Sequence, residues 1–285
     1  MIRKFFILTV SATLFAAACS RQTQSRNVNQ PLNAVGVNAA TVSTSTNAST
    51  NNAAASPENS ANAAAQTVGF DAPDGVKIVG TFYAAKENSP AVLMLHQFGG
   101  NRGSYKDLAR QFQTNGIAVL AIDGRGFGDS TKKTDGSRVS AGQSNEAVAG
   151  MKSDVAAAVK FLSEQKNVDK TRVGIVGASY GSSLALIYAA DNAEIKSVAL
   201  LSPGTNYFGV LPTTPAIEKY GARPVLIVAA EDDAESATAS RQLDKLAAGE
   251  KHQLQIYKKG GHGTGILTAG VGLDKLLLNF FQKNL

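Results

Sequence analysis

The sequence predicts an α/β domain with a mostly parallel central sheet and helices on both faces. Short, wholly apolar runs, which are typical of strands buried on both sides, alternate with longer segments that have apolar residues at helical spacing. This strand–helix alternation extends over residues 67–285. It favours a parallel sheet, because each helix returns the chain to the edge of the sheet where the next strand starts.

The elements begin with a hairpin over residues 68–83, which turns at Pro73, Asp74 and Gly75. Apolar runs then predict strands at residues 91–95, 117–122, 173–176, 195–201, 225–229 and 254–257. Apolar spacing predicts helices at residues 105–114, 145–165, 182–190, 236–248 and 271–281. Ligands of such sheets bind at the carboxyl ends of the strands, so the loops that follow strands are the places to look for chemistry.

Composition excludes several classes of protein. The chain has 285 residues, of which 44% are apolar, so it can fill a large core and is not disordered as a whole. Its single cysteine, Cys19, excludes an intramolecular disulfide framework and a metal site built from several cysteines. The net charge of +6 is shared between residues 1–66 and 67–285 without a basic cluster, so no nucleic-acid partner is expected.

The first 18 residues have the pattern of a secretory signal peptide. Arg3 and Lys4 form a positively charged start, an apolar run covers residues 5–15, and alanines precede Cys19. This arrangement resembles the lipobox of bacterial lipoproteins, in which the cysteine is diacylated and becomes the new N-terminus. It differs from the usual pattern at Ala16, where leucine is common, and ordinary cleavage at the alanines is the alternative.

The lipoprotein resemblance implies an exported protein that is anchored to a membrane through Cys19. Because Ser20 rather than aspartate follows the cysteine, it also implies sorting to the outer membrane. Residues 20–66 are mainly Asn, Ala, Ser and Thr, which bury too little apolar surface to offset chain entropy. We therefore expect residues 19–66 to form a lipidated, disordered linker and residues 67–285 to form the folded domain.

The clearest chemical motif is Gly-Ala-Ser-Tyr-Gly at residues 177–181, between a predicted strand and a predicted helix. A serine on such a sharp turn is held in a strained conformation that exposes its hydroxyl. Strand and helix nearly touch there, so only very small residues fit two positions to either side, and Gly177 and Gly181 meet this requirement. Ser179 is therefore a candidate nucleophile, and the alternative is a glycine-rich turn with a capping serine.

A nucleophilic serine needs a base, and the base needs an orienting carboxylate. Of the three histidines, His262 lies in a glycine-rich loop after the last predicted strand, at the appropriate edge of the sheet. His252 begins that strand and is expected at the opposite edge. Three consecutive acidic residues follow the strand at residues 225–229, and the last two, Asp232 and Asp233, are the candidate acids.

Two loops offer backbone N–H groups for the negatively charged oxygen of a reaction intermediate. One donor is Tyr180, directly after the nucleophile, and the other comes from residues 96–100, which follow the strand at 91–95. His96 in that loop is expected to brace it rather than to act as the base. Arg125, in a glycine-rich turn after the next strand, is expected to have a structural role.

Five segments of residues 67–285 together resemble the α/β-hydrolase superfamily, and within it the dienelactone-hydrolase-like group. These segments are residues 96–100, 123–130, 154–159, 177–181 and 230–233. The resemblance implies an α/β-hydrolase fold and a catalytic triad in the chain order Ser179, Asp233, His262. The family aspartate falls on Asp233, at the fourth position of the last segment.

The same resemblance implies an oxyanion hole formed by the N–H groups of Phe98 and Tyr180. Gln97 stands where the family has glycine, so this loop departs from the usual pattern. Dienelactone hydrolases use a cysteine nucleophile, whereas this chain has Ser179, which favours a general serine esterase. Residues 203–223 leave room only for a minimal cap, and its apolar residues are expected to form one wall of an acyl pocket: Tyr207, Phe208, Leu211 and Pro212.

These observations predict a membrane-tethered serine hydrolase that cleaves carboxylic esters of small molecules and uses neither a cofactor nor a metal ion. A serine peptidase or an acyltransferase with the same triad is one alternative, and a binding lipoprotein without activity is another. The chain has no propeller domain like that of prolyl-oligopeptidase-like enzymes, which disfavours the peptidase. The intact set of triad candidates argues against a protein that only binds. The sequence does not indicate an oligomeric state.

Overall fold

The computed structural model describes residues 63–285. The expected signal peptide at residues 1–18, the expected lipidation site Cys19 and residues 20–62 of the expected linker lie outside the described residues. The first strand begins at Gln66, one residue before the expected start of the domain. The Ala63 carbonyl accepts a hydrogen bond from the Gln113 side-chain amide (2.9 Å), so the chain already contacts the domain before the first strand.

In the part of the chain that the structure describes, ten strands form a large sheet and a small ribbon. They are β1 (Gln66–Asp71), β2 (Lys77–Tyr83), β3 (Ser89–Leu95), β4 (Ala118–Asp123), β5 (Val168–Ala178), β6 (Ile195–Leu201), β7 (Asn206–Tyr207), β8 (Leu211–Pro212), β9 (Val225–Ala230) and β10 (His252–Tyr257). The large sheet has the order β1-β2-β4-β3-β5-β6-β9-β10, and β7 pairs with β8. β2 is antiparallel to both of its neighbours, and every pairing from β4 to β10 is parallel.

Helices cover both faces of the sheet, as the sequence predicts. They are α1 (Lys106–Thr114), α2 (Asn145–Ser163), α3 (Tyr180–Asp191), α4 (Thr213–Tyr220), α5 (Ala234–Leu246), α6 (Gly265–Thr268) and α7 (Leu273–Asn284). α2, α3, α4 and α5 pack into the apolar core on one face, and α1, α6 and α7 into the core on the other. No helix within residues 63–285 combines the length and the apolar character needed to cross a bilayer.

The wholly apolar strands owe their composition to these two cores. In β4, Leu120 and Ile122 belong to one core, whereas Val119 and Ala121 belong to the other. Successive side chains of a strand point to opposite faces, so a strand covered on both sides must be apolar at every position. This packing confirms the predicted α/β-hydrolase architecture, a mostly parallel sheet between two layers of helices.

Three parts of the chain differ from the prediction, and one of them is the short helix α6, which no predicted element anticipates. β5 begins at Val168, which pairs with Ser89, rather than at residue 173. Its first half is mostly polar and is not buried, so it has no apolar signal. Residues 203–223, expected as a minimal cap, contain the ribbon of β7 and β8 and the helix α4. This cap is still too small to form a separate lid domain.

A buried arginine anchors the loop after β4. The Arg125 guanidinium donates to both oxygens of Asp154 on α2, with distances of 2.7–3.2 Å, and to Asp74 in the β1–β2 turn. The Arg125 N–H also donates to Asp154 (2.9 Å). The side chains of Arg125 and Asp154 are 8% and 2% exposed, so their charges satisfy each other away from water. Arg125 therefore has the structural role that the sequence suggests.

We expect Asp154→Ala to reduce the free energy of unfolding by about 3–5 kcal/mol, because it leaves the buried Arg125 charge without its main partner. Asp191→Ala is the matched control. It removes a surface partner of Lys219 that is 57% exposed, and should change stability by less than about 1 kcal/mol. Urea unfolding of the two variants measures the difference, and equal losses would contradict the anchoring role of Arg125.

Candidate active site

The turn between β5 and α3 presents Ser179 at the carboxyl edge of the sheet. Ser179 has φ 55° and ψ −126°, a conformation that side chains rarely adopt, and α3 begins at the next residue. A Cβ on Gly177 would lie 2.1 Å from the Gly181 carbonyl oxygen, and one on Gly181 would lie 2.6 Å from the His96 carbonyl oxygen. The expected steric demand for glycine at both positions is therefore confirmed.

Three side chains meet in one hydrogen-bonded line at this edge. The Ser179 hydroxyl lies 2.7 Å from His262 Nε2, and His262 Nδ1 lies 2.7 Å from Asp233 Oδ2. Ser179 is buried, the Asp233 side chain is 16% exposed and the His262 side chain is 42% exposed. The arrangement lets His262 accept the serine proton while Asp233 holds the imidazole with Nδ1 protonated.

The two neighbouring aspartates have different partners. Asp233 contacts His262, whereas the Asp232 carboxylate accepts the N–H groups of Gly260 and Gly261, at 3.1–3.2 Å, in the loop that carries this histidine. The structure therefore pairs His262 with Asp233, the residue to which the family resemblance points. Asp232 instead holds the histidine loop against the end of β9.

The environment of Asp233 favours its ionised form. Burial acts to raise its pKa, but contacts with the Ser236 hydroxyl, His262 and the Ser202 hydroxyl outweigh burial and hold the pKa below its ordinary value. A carboxylate that stays charged at neutral pH is suited to stabilise an imidazolium on its histidine partner.

Ser202, at the end of β6, is a residue that the sequence reasoning missed. It is fully buried and has φ 48°, and its hydroxyl accepts the Gly263 N–H (2.8 Å) next to His262. Its carbonyl accepts the Tyr207 hydroxyl (2.7 Å) from the cap. Ser202 thus connects the acid, the histidine loop and the cap. Its position directly after a buried strand is the one sequence signal that could have revealed it.

The expected oxyanion donors flank the serine. Tyr180 is the first residue of α3, so its N–H has no acceptor within the helix. Phe98 lies in the β3 loop, and within residues 63–285 its N–H makes no hydrogen bond. Gln97 holds this loop in place, because its side-chain oxygen accepts the N–H (2.8 Å) and the hydroxyl (3.0 Å) of Thr264. The replacement of glycine by Gln97 therefore ties the Phe98 loop to the His262 loop.

His96 braces the same region, as expected. One ring nitrogen, Nδ1, contacts the Gln97 carbonyl (2.7 Å), and the other, Nε2, accepts the Gly124 N–H (3.0 Å). Only a neutral ring with its proton on Nδ1 satisfies both contacts. Burial lowers the pKa of His96, and the Gln97 carbonyl and Asp123 only partly oppose this effect. His252 begins β10, where Nδ1 contacts the Gly249 carbonyl, at the amino edge of the sheet.

Aromatic side chains surround Tyr180, the residue that follows Ser179. The Phe98 ring packs against Phe127 and Phe208, with centroid distances of 5.0 and 5.3 Å. The Tyr207 ring adjoins Phe208 at 6.1 Å. We call Phe98, Phe127 and Phe208 the aromatic wall. Two other residues expected in an acyl pocket lie elsewhere, because Leu211 is fully buried in the core and Pro212 is the N-cap of α4.

The chain is similar in sequence to a known family of hydrolases and to proteins of bacteria and fungi. The model of the dienelactone hydrolase family matches residues 79–265. An uncharacterized protein of Mycobacterium tuberculosis is 28% identical over 231 residues, which cover 75% of this chain and 78% of that protein. The thiohydrolase aneE of Aspergillus aculeatus is 30% identical over 139 residues, covering 48% of this chain and 41% of that one.

A similar fold occurs in a solved structure. The dienelactone hydrolase of Anabaena variabilis superimposes with a TM-score of 0.59 at 18% identity, covering 78% of this chain and 99% of that one. In the part of the chain that the structure describes, no group of three or more His, Cys, Asp or Glu side chains is arranged to hold a metal ion.

The lowered pKa of His96 predicts a pH-dependent stability. Because the unfolded chain binds this proton more readily, the free energy of unfolding falls by up to about 1.4 kcal/mol per pH unit below about pH 6.5. The effect ends at the lower pKa of the folded state. Asp233 acts in a separate window, since its stabilising charge is fully present above the ordinary aspartate pKa of 3.8 and is lost as the pH falls below that value, through the lower pKa of the folded state.

Thermal unfolding of the wild type and of His96→Gln at pH 7.5 and pH 5.5 measures this effect. We expect a smaller pH-dependent loss of Tm in His96→Gln, because glutamine does not titrate. Gln253→Asn, an exposed change on β10 that involves no titrating group, is the control and should keep the pH dependence of the wild type. Identical pH dependence in His96→Gln and the wild type would refute the assignment to His96.

Proposed function

The chain belongs to the dienelactone hydrolase family and is a serine hydrolase, and we propose that it cleaves carboxylic esters with Ser179, His262 and Asp233 as its catalytic triad. The observation that carries the proposal is the line of two 2.7 Å contacts that joins the three side chains. Ser179, at one end of this line, lies in the strained strand-to-helix turn that is typical of nucleophilic serines in this fold.

In the proposed reaction, His262 Nε2 takes the proton of Ser179 while the serine oxygen attacks the ester carbonyl carbon. The carbonyl oxygen becomes negatively charged and accepts hydrogen bonds from the N–H groups of Phe98 and Tyr180. His262 then protonates the departing alcohol, which leaves an acyl group on Ser179. Water, deprotonated by the same histidine, releases the acid and restores the serine. Asp233 stabilises the imidazolium at both stages.

Substitution of the triad tests this proposal. Ser179→Ala and His262→Ala should each lower kcat on a nitrophenyl ester by about 10⁴–10⁶-fold, with little further loss in the double variant, because the two groups act as a unit. Asp233→Asn should cost somewhat less, since the imidazole remains but loses its orientation. A fluorophosphonate probe, which reacts with activated serines, should label the wild type and not Ser179→Ala.

Two controls make the test specific. His252→Ala should be nearly silent, because that residue lies at the amino edge of the sheet. Asp232→Asn should cost less than Asp233→Asn, because Asp232 contacts only loop N–H groups. Full activity in His262→Ala, with loss of activity in His96→Ala, would show that the base lies on another loop and would overturn the mechanism.

A thioester substrate is the second candidate. The matched fungal relative is named a thiohydrolase, and this chain covers 41% of its length. The same acyl-enzyme chemistry cleaves either bond, so the oxygen ester and the thioester of one acid, assayed side by side, distinguish the two. A higher kcat/KM on the oxygen ester, after correction for the faster spontaneous cleavage of the thioester, supports the esterase.

We further propose that the enzyme is a lipoprotein that is anchored to a membrane through Cys19, a residue that precedes the folded domain. The support is the sequence itself: a signal-like segment ends directly before the sole cysteine, and Ser20 follows it. The lipid anchor would hold the hydrolase at the cell envelope, in the outer membrane.

Cys19→Ser should abolish incorporation of labelled palmitate and shift the protein from the membrane fraction to a soluble or unprocessed form. Ser20→Ala is the matched control, because it changes the neighbouring residue and keeps the thiol. Fractionation with palmitate labelling measures both variants. Equal palmitate labelling of Cys19→Ser and the wild type would contradict the lipoprotein assignment.

A further inference from the structure

The surface around His262 differs in chemistry from the aromatic wall. A cleft of about 400 Å³ lies beside Asp233 and His262, and Tyr207 forms part of its lining. A second cleft of about 420 Å³ adjoins it and shares Thr205, Glu235 and Ala239. We call the two clefts together the polar groove. Its polar side chains, apart from the triad and Tyr207, are Thr205, Asn206, Glu235, Ser236, Thr238 and Gln242.

The reaction decides which part of an ester lies near this groove. His262 must protonate the departing oxygen, so the alcohol portion lies within hydrogen-bond reach of that imidazole. The groove is lined by His262 itself, whereas the aromatic wall packs around Tyr180, next to the expected oxyanion donors. The acyl portion therefore faces the aromatic wall, and the alcohol portion extends along the groove.

The lining of the groove selects the kind of alcohol. Hydroxyl and amide groups from the cap and from α5 offer both donors and acceptors along its length, which match a chain of hydroxyl groups. Asp233 and Glu235 supply negative charge, and among the described residues that line it there is no lysine or arginine. An anionic alcohol would therefore meet repulsion, and an apolar one would leave polar groups unpaired.

We propose that the polar groove is the alcohol subsite, and that the substrate is an ester of a neutral, hydroxyl-rich alcohol such as a polyol or a sugar. This assignment rests on the proposed esterase function and deepens it. It makes Thr205 and Glu235 specificity-determining residues, because they line both clefts.

Acetate esters of one series of alcohols test the assignment on the full chain. The alcohols are methanol, hexanol, glycerol and glycerol phosphate, and each kcat/KM is divided by the rate of alkaline hydrolysis of the same ester. We expect the glyceryl ester to exceed the methyl and hexyl esters, and the phosphorylated ester to be the poorest substrate.

Two groove variants sharpen the test. Thr205→Trp fills the groove and should lower the glyceryl-to-methyl ratio of kcat/KM by about ten-fold, because only the larger alcohol extends into it. Glu235→Gln removes a charge and should improve the phosphorylated ester relative to the glyceryl ester by up to about five-fold. Glu87→Gln, an exposed change before the amino end of β3, is the matched control and should leave both ratios unchanged.

The outcomes separate this assignment from the proposed function. Ester cleavage with a preference for hexyl acetate, or with both ratios unaffected in the groove variants, would overturn the alcohol subsite and leave the esterase intact. Absence of both fluorophosphonate labelling and ester cleavage would overturn the proposed function and the subsite with it. Thermal unfolding checks that Thr205→Trp is folded, and if it is not, the ratio measured for Glu235→Gln decides.

Discussion

The candidate site depends on one steric constraint, the reversal of the chain from β5 into α3 at Ser179. Strand and helix approach so closely that any Cβ on Gly177 or Gly181 would collide with backbone carbonyls. The strained conformation persists because its surroundings determine it: the Ser179 N–H donates to the Leu201 carbonyl of the adjacent strand (2.8 Å), and the Ser179 carbonyl accepts from Ser182. The same reversal leaves the Tyr180 N–H at the start of a helix, free to meet a negatively charged oxygen. One turn thus positions both the candidate nucleophile and a candidate oxyanion donor.

The other parts of the site lie in loops at the carboxyl ends of the parallel strands. Hydrogen bonds between these loops hold the site residues in their relative positions. Gln97 joins the loop after β3 to the loop after β10, and Ser202 joins the end of β6 to that same loop. Asp232 adds a contact from the end of β9. These hydrogen bonds hold His262 in place although its side chain is substantially exposed. Such preorganisation matters for catalysis, because displacement of a reacting group by about 1 Å can cost about 10²-fold in rate.

The residues that specify the fold differ from those that line the site. The two apolar cores and the buried pair of Arg125 and Asp154 specify an architecture that many hydrolases share. The proposed ester cleavage rests on the hydrogen-bonded line at Ser179. In the proposed function, the choice of substrate depends on side chains beside the triad, namely the aromatic wall, which packs against the core, and the polar groove. This separation explains why a family can keep one chemistry while its members act on different compounds.

The sequence by itself determined the order of the strands in the large sheet and of its main helices, the turn at Ser179 and the placement of His262 and His252 at opposite edges of the sheet, because each has a local signal in apolar periodicity, in glycine spacing or in position along a strand. The residues themselves left Asp232 and Asp233 open and only the family resemblance favoured Asp233, so the contact with His262 became visible only in the tertiary structure, where the adjacent aspartates meet different partners across 28 or 29 residues of chain. The tertiary structure alone decided the roles of Ser202 and Gln97 and the burial of Leu211. These three features depend on contacts between segments that are distant in sequence, and such contacts cannot be predicted from local sequence patterns.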